Sequence, residues 1–469
     1  MKNSYESPFS SRYASDDMRN IFSQEMRFFT WRRLWVILAK AEKELGLQIT
    51  DEQIKELEDK MCDINYDVAD EIEKETHHDV MAHIHAYGKQ CPNAAGIIHL
   101  GATSSYITDN ADIIIMVHAT DIVYNKLQIL IRKLKKLAID YKDIPTLAYT
   151  HYQPAQPTTV GKRICMWLQD FESDIDDLNN VTRSIKVLGC KGATGTQASF
   201  LKLFNNDYRK VEALDRSVCR KIGISSFPIT GQTYPRKLDK RIYDVLSSIA
   251  VSASKMANDI RLLQHDGEIS EPFGSKQVGS SAMAYKRNPL NCEKIVGLSR
   301  RVITDSINPA WTASVQWLER TLDDSSNRRL VISEGFLSID EILDTCIKVI
   351  DGLVIDVGKV SRNLNRELPF MATENIMMSL VEQGMDRQEV HEIIRKLSIQ
   401  ARTDDSDLIK LISNRFDIPN GRLFSSMYTN ILIGCASKQV EDYLGYEEEH
   451  IKDSTQLSGG KSGDNDRDK

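Results

Sequence analysis

Apolar residues at Val123, Leu127, Leu130, Leu134, Leu137 and Tyr141 recur at alternating intervals of four and three, the seam of a long helix that packs against other helices. The same spacing returns at Ile164, Leu168, Phe171, Ile175 and Leu178, and at Leu238, Ile242, Val245, Ile249, Ser252 and Met256. It appears again at Ile332, Phe336, Ile339, Leu343, Cys346, Ile350 and Leu353. Four long helices with one spacing predict a bundle. The period-two alternation of a half-buried strand is nowhere sustained beyond a few residues, so an all-α class without a substantial sheet is expected.

Polar stretches rich in Gly and Pro separate the seams, at 96–110, 145–161, 189–199, 268–289 and 321–329. Loops on a rigid scaffold are where function usually lies. Before Thr103 the helices are shorter, and Thr50 with Gln53 forms a capping box that opens one of them. The expected organisation is three helical domains: an N-terminal one over 1–103, a central long-helix bundle over 104–355, and a C-terminal one over 356–451 that includes a helix from Arg387 to Gln400. From Lys452 to the end the chain has almost nothing apolar, and this tail is expected to be disordered.

Composition narrows the function classes. The chain has 469 residues, 41% of them hydrophobic and 27% charged, an ordinary globular balance with ample material for a core. A formal charge of −7 argues against nucleic acid as a partner, although one cleft can still be basic. The eight cysteines, at 62, 91, 165, 190, 219, 292, 346 and 435, form no CxxC pair and read as free thiols of a reducing cytosol. The longest uncharged runs are full of Pro, Gly, Thr, Gln and His, so no membrane span is expected.

Chemistry concentrates in a few segments. GSSAMAYKRNP, 279–289, joins a flexible backbone, hydroxyls, two cations and an amide, and runs into a stretch expected to be helical from Leu290 to Val302. Such a loop suits an anion, because converging N–H groups, Lys286 and Asn288 stabilise negative charge at a helix start. A mobile polar surface loop has the same composition. His151, beside Pro154 and Pro157 in an expected loop that ends where a helix begins near Thr158, reads either as a proton donor or as a satisfied structural histidine.

His77, His78, His83 and His85 cluster without an HExxH pattern, which favours polar lining of a cleft over a zinc site. Arg320, Ser325, Arg328 and Arg329, with Arg12 and Tyr13, are candidates for gripping a phosphate. Thr103 and Ser104 could extend such a pocket, while Ser105, Thr108 and Asp109 read as caps of the following helix. Neither a P-loop nor a GxGxxG is present, so a nucleotide-dependent kinase or dehydrogenase has no support.

Taken together these segments carry a resemblance. GSSAMAYKRNP is similar to the signature loop of the fumarase, aspartase and argininosuccinate lyase superfamily. SRYAS, HHDVMAHIHAYG, LGATSSYITDN, THYQPAQPTTVGKR, KGATGTQASF, ITGQTY and ASVQWLERTLDDSSNRR resemble, in order, the adenylosuccinate lyase family. The resemblance implies a C–N lyase that eliminates fumarate from adenylosuccinate, leaving AMP. It also implies the same elimination from the succinyl-aminoimidazole-carboxamide ribotide, SAICAR, leaving AICAR, in purine synthesis, without cofactor or metal.

By the same resemblance Ser280 is the base that takes the Cβ proton and His151 the acid that protonates the departing nitrogen. His78 is the second active-site histidine, and Lys286 and Asn288 steady the dianion. Gln232 contacts substrate, as do His77, Asp79, Thr103, Ser104 and Lys294. Arg12, Tyr13, Arg320, Ser325 and Arg329 hold the nucleotide end. The sequence departs from the pattern at Ala284, where the loop commonly has proline, and at Lys294 and His77, where relatives often carry arginine. The resemblance further implies a homotetramer with a pooled central bundle and active sites shared by three subunits. Another lyase of the superfamily, or a non-catalytic relative on the same scaffold, are the rival readings.

Overall fold

The computed structural model describes residues 4–274, 276–417 and 432–445; the tail expected from Lys452 lies outside them. The elements that position the site are α1 (Gln24–Glu44), α2 (Asp79–Gln90), α3 (Ser104–Asp140), β1 (Pro145–Thr150), β2 (Gln153–Thr159), α4 (Val160–Arg183), α5 (Lys237–His265), α6 (Leu290–Asp305), α7 (Asp324–Asp351) and α8 (Arg387–Asp404). The four expected seams fall on α3, α4, α5 and α7. Their central residues, among them Leu127, Leu130, Leu168, Phe171, Ile249, Met256, Ile339 and Leu343, are fully buried. Each such side chain contributes about 1.5–3 kcal/mol of hydrophobic stabilisation.

By length and composition α3 could cross a membrane, and half of its most apolar window is buried inside the fold. Its Asp109 and Asp112 are ion-paired with arginines, which fits a core helix better than a lipid-facing one.

Two compact units are distinguished. The first comprises Met1–Gln128, Ser173–Ser254 and Glu293–Cys346; the second comprises Ile129–Glu172, Lys255–Cys292 and Ile347–Lys469. In the first, Trp31, Leu34, Trp35, Leu38 and Ala41 of α1 pack with Tyr87, Tyr106, Ile107, Phe200, Leu214 and Val218. The two tyrosines do not leave their hydroxyls unpaired: Tyr106 donates to Leu34 O at 3.0 Å and Tyr87 to Leu57 O. Helix α1 starts on Ser23, whose Oγ accepts from Met26 N at 3.1 Å. The helix Asp51–Asp59 opens on the expected Thr50–Gln53 capping box.

The first unit also holds a charged cluster. Arg236 forks onto Asp109 with two bonds of 3.0 Å and reaches Asp324 at 2.7 Å. Arg328 reaches Asp239 at 2.7 Å, Asp112 at 3.1 Å and the Tyr234 hydroxyl. Burial works against both charges, but the surrounding aspartates outweigh it and raise both guanidinium pKa values further. Such groups hold one geometry because any missing partner leaves a buried charge bare.

The second unit departs from the sequence expectation at 145–161. The segment is not an irregular loop but an antiparallel hairpin, β1 on β2, in which Thr150 pairs with Gln153. Helix α4 then begins at Val160 rather than near Thr158. The run of Thr, Pro and Gln hides the strands because its alternation is polar on both faces. Further along, Ile376, Leu380, Val390, Ile394, Ile409 and Ile412 form a separate small core; α8 carries Val390 and Ile394 and begins at Arg387, as expected.

Candidate active site

The first unit holds a cavity of about 720 Å³ lined by His77, His78, Asp79, Ser104, Gln232, Arg320, Ser325 and Arg329. Eight residues expected in a site, scattered over 250 positions of sequence, thus share one wall. His77 ends the helix Tyr66–Thr76 in a left-handed conformation, φ 53°, and the chain turns so that His78 becomes the N-cap of α2. The Nδ1 of His78 accepts from Met81 N at 3.3 Å, and its Nε2 lies 3.4 Å from Ser104 Oγ at the start of α3.

Gln232 is placed by backbone docking. Its N–H donates to Glu319 O at 3.0 Å, and a Cβ on the neighbouring Gly231 would lie 2.5 Å from that same carbonyl oxygen. Only glycine permits the approach.

The cations of the cavity are not bare. Arg329 lies 3.4 Å from Asp79, and Arg27 lies 3.5 Å from the same carboxylate oxygen. Arg320 faces Asp324 at 3.3 Å. Arg27 was not foreseen; it lies over the Trp31 ring at 4.9 Å, and no motif in the sequence marks it. Asp109, Asp112, Arg236 and Asp324 also line the cavity without having been expected there.

Several expectations need correction. Arg328 also lines the cavity, but its guanidinium is committed to Asp239, Asp112 and Tyr234 and only 10% of its side chain is exposed, which leaves it little reach for a phosphate. Asp109 does not cap α3; it is the bidentate partner of Arg236. His83 is a core residue, stacked at 3.7 Å on Phe28, and burial lowers its pKa to about 4, which keeps it neutral.

Thr103, Arg12, Tyr13 and Lys294 belong to the same unit but do not line the cavity. Thr103 Oγ1 is enclosed and makes no hydrogen bond among the described residues. Glu341 accepts from Lys294 Nζ at 2.5 Å and from Ala14 N, the neighbour of Tyr13, at 2.9 Å.

His151, Ser280, Lys286 and Asn288 belong to the second unit. His151 and Tyr152 form the two-residue tip of the hairpin, with φ of 52° and 56°. Two consecutive non-glycine residues in the left-handed region cost roughly 1–2 kcal/mol each. Strain of this kind clusters where a side chain must be aimed.

In the signature loop, Ser280 Oγ accepts from Ala282 N at 3.3 Å and from Met283 N at 3.1 Å. Asn288 closes the loop by donating Nδ2 to Gly279 O at 2.8 Å. Gly279 must be glycine, since a Cβ would lie 2.0 Å from Lys286 O. The arrangement places two amide donors on an oxygen that can then carry negative charge. Among the described residues, no cluster of His, Cys, Asp and Glu has the form of a metal site.

Relatives with the same architecture are known. A fumarate lyase from Mesorhizobium sp. BNC1 superposes with a TM-score of 0.81 at 22% identity, over 94% of this chain and 99% of that one. A 3-carboxy-cis,cis-muconate lactonizing enzyme from Pseudomonas putida reaches 0.84 at 20% identity, over 94% and 99%. At these identities the likeness establishes the helical fold alone.

Sequence relatives reach further. The Lyase family profile matches residues 11–304, and the profile described as adenylosuccinate lyase C-terminus matches 369–442. The adenylosuccinate lyase of Schizosaccharomyces pombe is 48% identical and that of Saccharomyces cerevisiae 47%, each over 94% of both chains. The enzyme of Pyrococcus horikoshii is 33% identical over 94% of this chain and 98% of its own. With both family profiles matched and near-full-length identity to relatives from yeasts and an archaeon, the chain belongs to the adenylosuccinate lyase family.

Proposed function

We propose that this C–N lyase eliminates fumarate from adenylosuccinate to leave AMP, and from SAICAR to leave AICAR, with Ser280 as base and His151 as acid. The observation that carries the assignment of the base is the pair of N–H groups, from Ala282 and Met283, on Ser280 Oγ. An ordinary serine is a poor base. An alkoxide held by two amide donors is a competent one.

The steps balance within the protein's own side chains. The Ser280 alkoxide takes the Cβ proton, and the electron pair left on Cβ spreads into the adjacent carboxylate, whose added charge Lys286 and Asn288 offset. The C–N bond then breaks with its pair on nitrogen, and His151 supplies the proton that makes the amine a leaving group. Collapse of the carbanion forms the double bond of fumarate. Positioned acid and base each contribute roughly 10²- to 10⁴-fold.

At the other end of the substrate, Arg320, Ser325 and Arg329, which line the cavity, are assigned the phosphate together with Arg12 and Tyr13, whose neighbour Ala14 donates its N–H to Glu341.

In this reading the working enzyme is a homotetramer in the cytosol, and each site draws His78, His151 and Ser280 from three subunits. Trp317, Leu318 and Leu322 beside Arg320 are 72%, 96% and 69% exposed in the single chain, a large apolar surface for a protein that acts alone.

The test is direct. Purified protein given adenylosuccinate changes ultraviolet absorbance as the purine is released and produces fumarate in equal amount. Turnover of argininosuccinate in its place would overturn the substrate assignment. Mixing inactive His78→Ala and Ser280→Ala proteins, unfolding and refolding them together, restores activity if subunits share sites and restores none if each chain is self-sufficient.

A further inference from the structure

The signature loop runs directly into α6, and the start of a helix leaves backbone N–H groups without intrahelical partners. Those groups are usually met by a residue just before the helix. Here they are met from twenty positions upstream. Glu271 Oε1 accepts from both Asn291 N and Asn291 Nδ2 at 3.0 Å, and Oε2 accepts from Cys292 N at 2.9 Å. The residue is 3% exposed, so both oxygens are spent inside the protein.

A second tie runs through Gln264 on α5. Its Oε1 accepts from Glu271 N at 3.1 Å, and its Nε2 donates to Arg287 O, near the end of the loop, also at 3.1 Å. One amide side chain thus couples the buried acid to the loop. From Arg287 the path is short: Asn288 closes onto Gly279 O at 2.8 Å, and Ser280 follows. By contrast, Ser281 to Arg287 are exposed, with Tyr285 at 84%, so the loop's own side chains do little to hold it.

We infer that Glu271 is a positioning residue for the elimination: by clamping the first turn of α6 it fixes the root of the loop and thereby the place of Ser280. This rests on the reading of Ser280 as the base. A carboxylate suits the role because it can accept from three N–H groups at once and is favoured at the positive end of a helix. Glu271 touches no reacting atom; it acts through Asn291, Cys292 and the loop closure.

The experiment compares Glu271→Gln with the parent enzyme on adenylosuccinate. The amide keeps the shape but turns an NH2 toward a donor, so at least one of the bonds to the α6 backbone is lost. The single-turnover rate constant at saturating enzyme is the deciding readout, because it does not depend on what fraction of chains is folded. It falls about tenfold or more, as small misplacements of reacting groups do, while KM stays within about threefold because the phosphate contacts are elsewhere.

Gln264→Ala, at a half-buried helix position, carries the test if Glu271→Gln does not fold; it lowers the same rate constant by a smaller factor. A single-turnover rate constant within twofold of the parent in whichever variant folds overturns the inference. Ser280→Ala, run alongside, separates the two levels. If it keeps turning over, the reading of Ser280 is wrong and the role of Glu271 falls with it; if it is inactive while Glu271→Gln reacts at the parent rate, only the positioning role is lost.

Discussion

Ser104 Oγ lies 3.4 Å from His78 Nε2, and the other ring nitrogen of His78 accepts from Met81 N. The second contact fixes the tautomer: a neutral His78 carries its proton on Nε2, facing Ser104 and the cavity. Replacing Ser104 with Ala frees the ring without disturbing the cap. It is expected to lower kcat/KM by roughly tenfold, about 1.4 kcal/mol, with little change in melting temperature. His78→Ala also removes the cap of α2 and costs about 1 kcal/mol of stability; kinetics and thermal melts on both variants separate the two effects.

The hairpin tip gives a cleaner separation of function from folding. His151→Gly relieves a left-handed residue of its Cβ penalty, so the variant melts no lower than the parent. It is expected to lose at least about 10²-fold in kcat, the scale of one positioned acid. A variant that keeps its turnover removes His151 from the mechanism.

Adjacent arginines are expected to behave in opposite ways. Arg329, with a side chain 59% exposed in the cavity wall, should raise KM when changed to Ala and barely alter stability. Arg328→Ala strands the buried Asp239, only 2% exposed, besides taking a partner from the half-exposed Asp112, and is expected to cost about 3–5 kcal/mol. Chemical denaturation and steady-state kinetics on the two proteins decide the matter.

A pH effect on stability follows from Glu42. Its carboxyl is fully buried, makes no hydrogen bond among the described residues, and burial pushes its pKa up to about 9. The folded protein thus binds a proton that the unfolded chain releases above its ordinary value of 4.5. The native state is penalised progressively as pH rises from 4.5 toward 9. Glu42→Gln should remove that slope: urea midpoints of variant and parent differ more at pH 8 than at pH 5, in the variant's favour. Equal differences at the two pH values refute the assignment.

What the sequence could disclose was whatever depends on short spacing. The seams of α3, α4, α5 and α7 are legible because burial repeats every three or four residues, and the capping box at Thr50 is a four-residue pattern. The histidine and arginine parts of the cavity set were legible as separate polar clusters, but that His78, Gln232 and Arg329 share one wall is a product of tertiary folding, and Gln232 and Asp79 were found through resemblance alone. Arg328 and Arg329 were indistinguishable as neighbours, yet one step of a helix ties the first to Asp239, Asp112 and Tyr234 and leaves the second 59% exposed in the cavity wall. Arg27 and the contact of Glu271 with Asn291 had no local signal at all.

The shared counter-ion in the cavity has a consequence for selectivity. Because Asp79 already offsets one of the two positive charges of Arg27 and Arg329, an arriving ligand gains only the difference between its own attraction and that of the resident carboxylate. A singly charged group replaces like with like, whereas a phosphate dianion brings surplus charge and can span two guanidiniums. On this charge balance the wall is expected to favour a phosphate dianion over a neutral group or a monoanion of the same shape, whatever else the ligand carries.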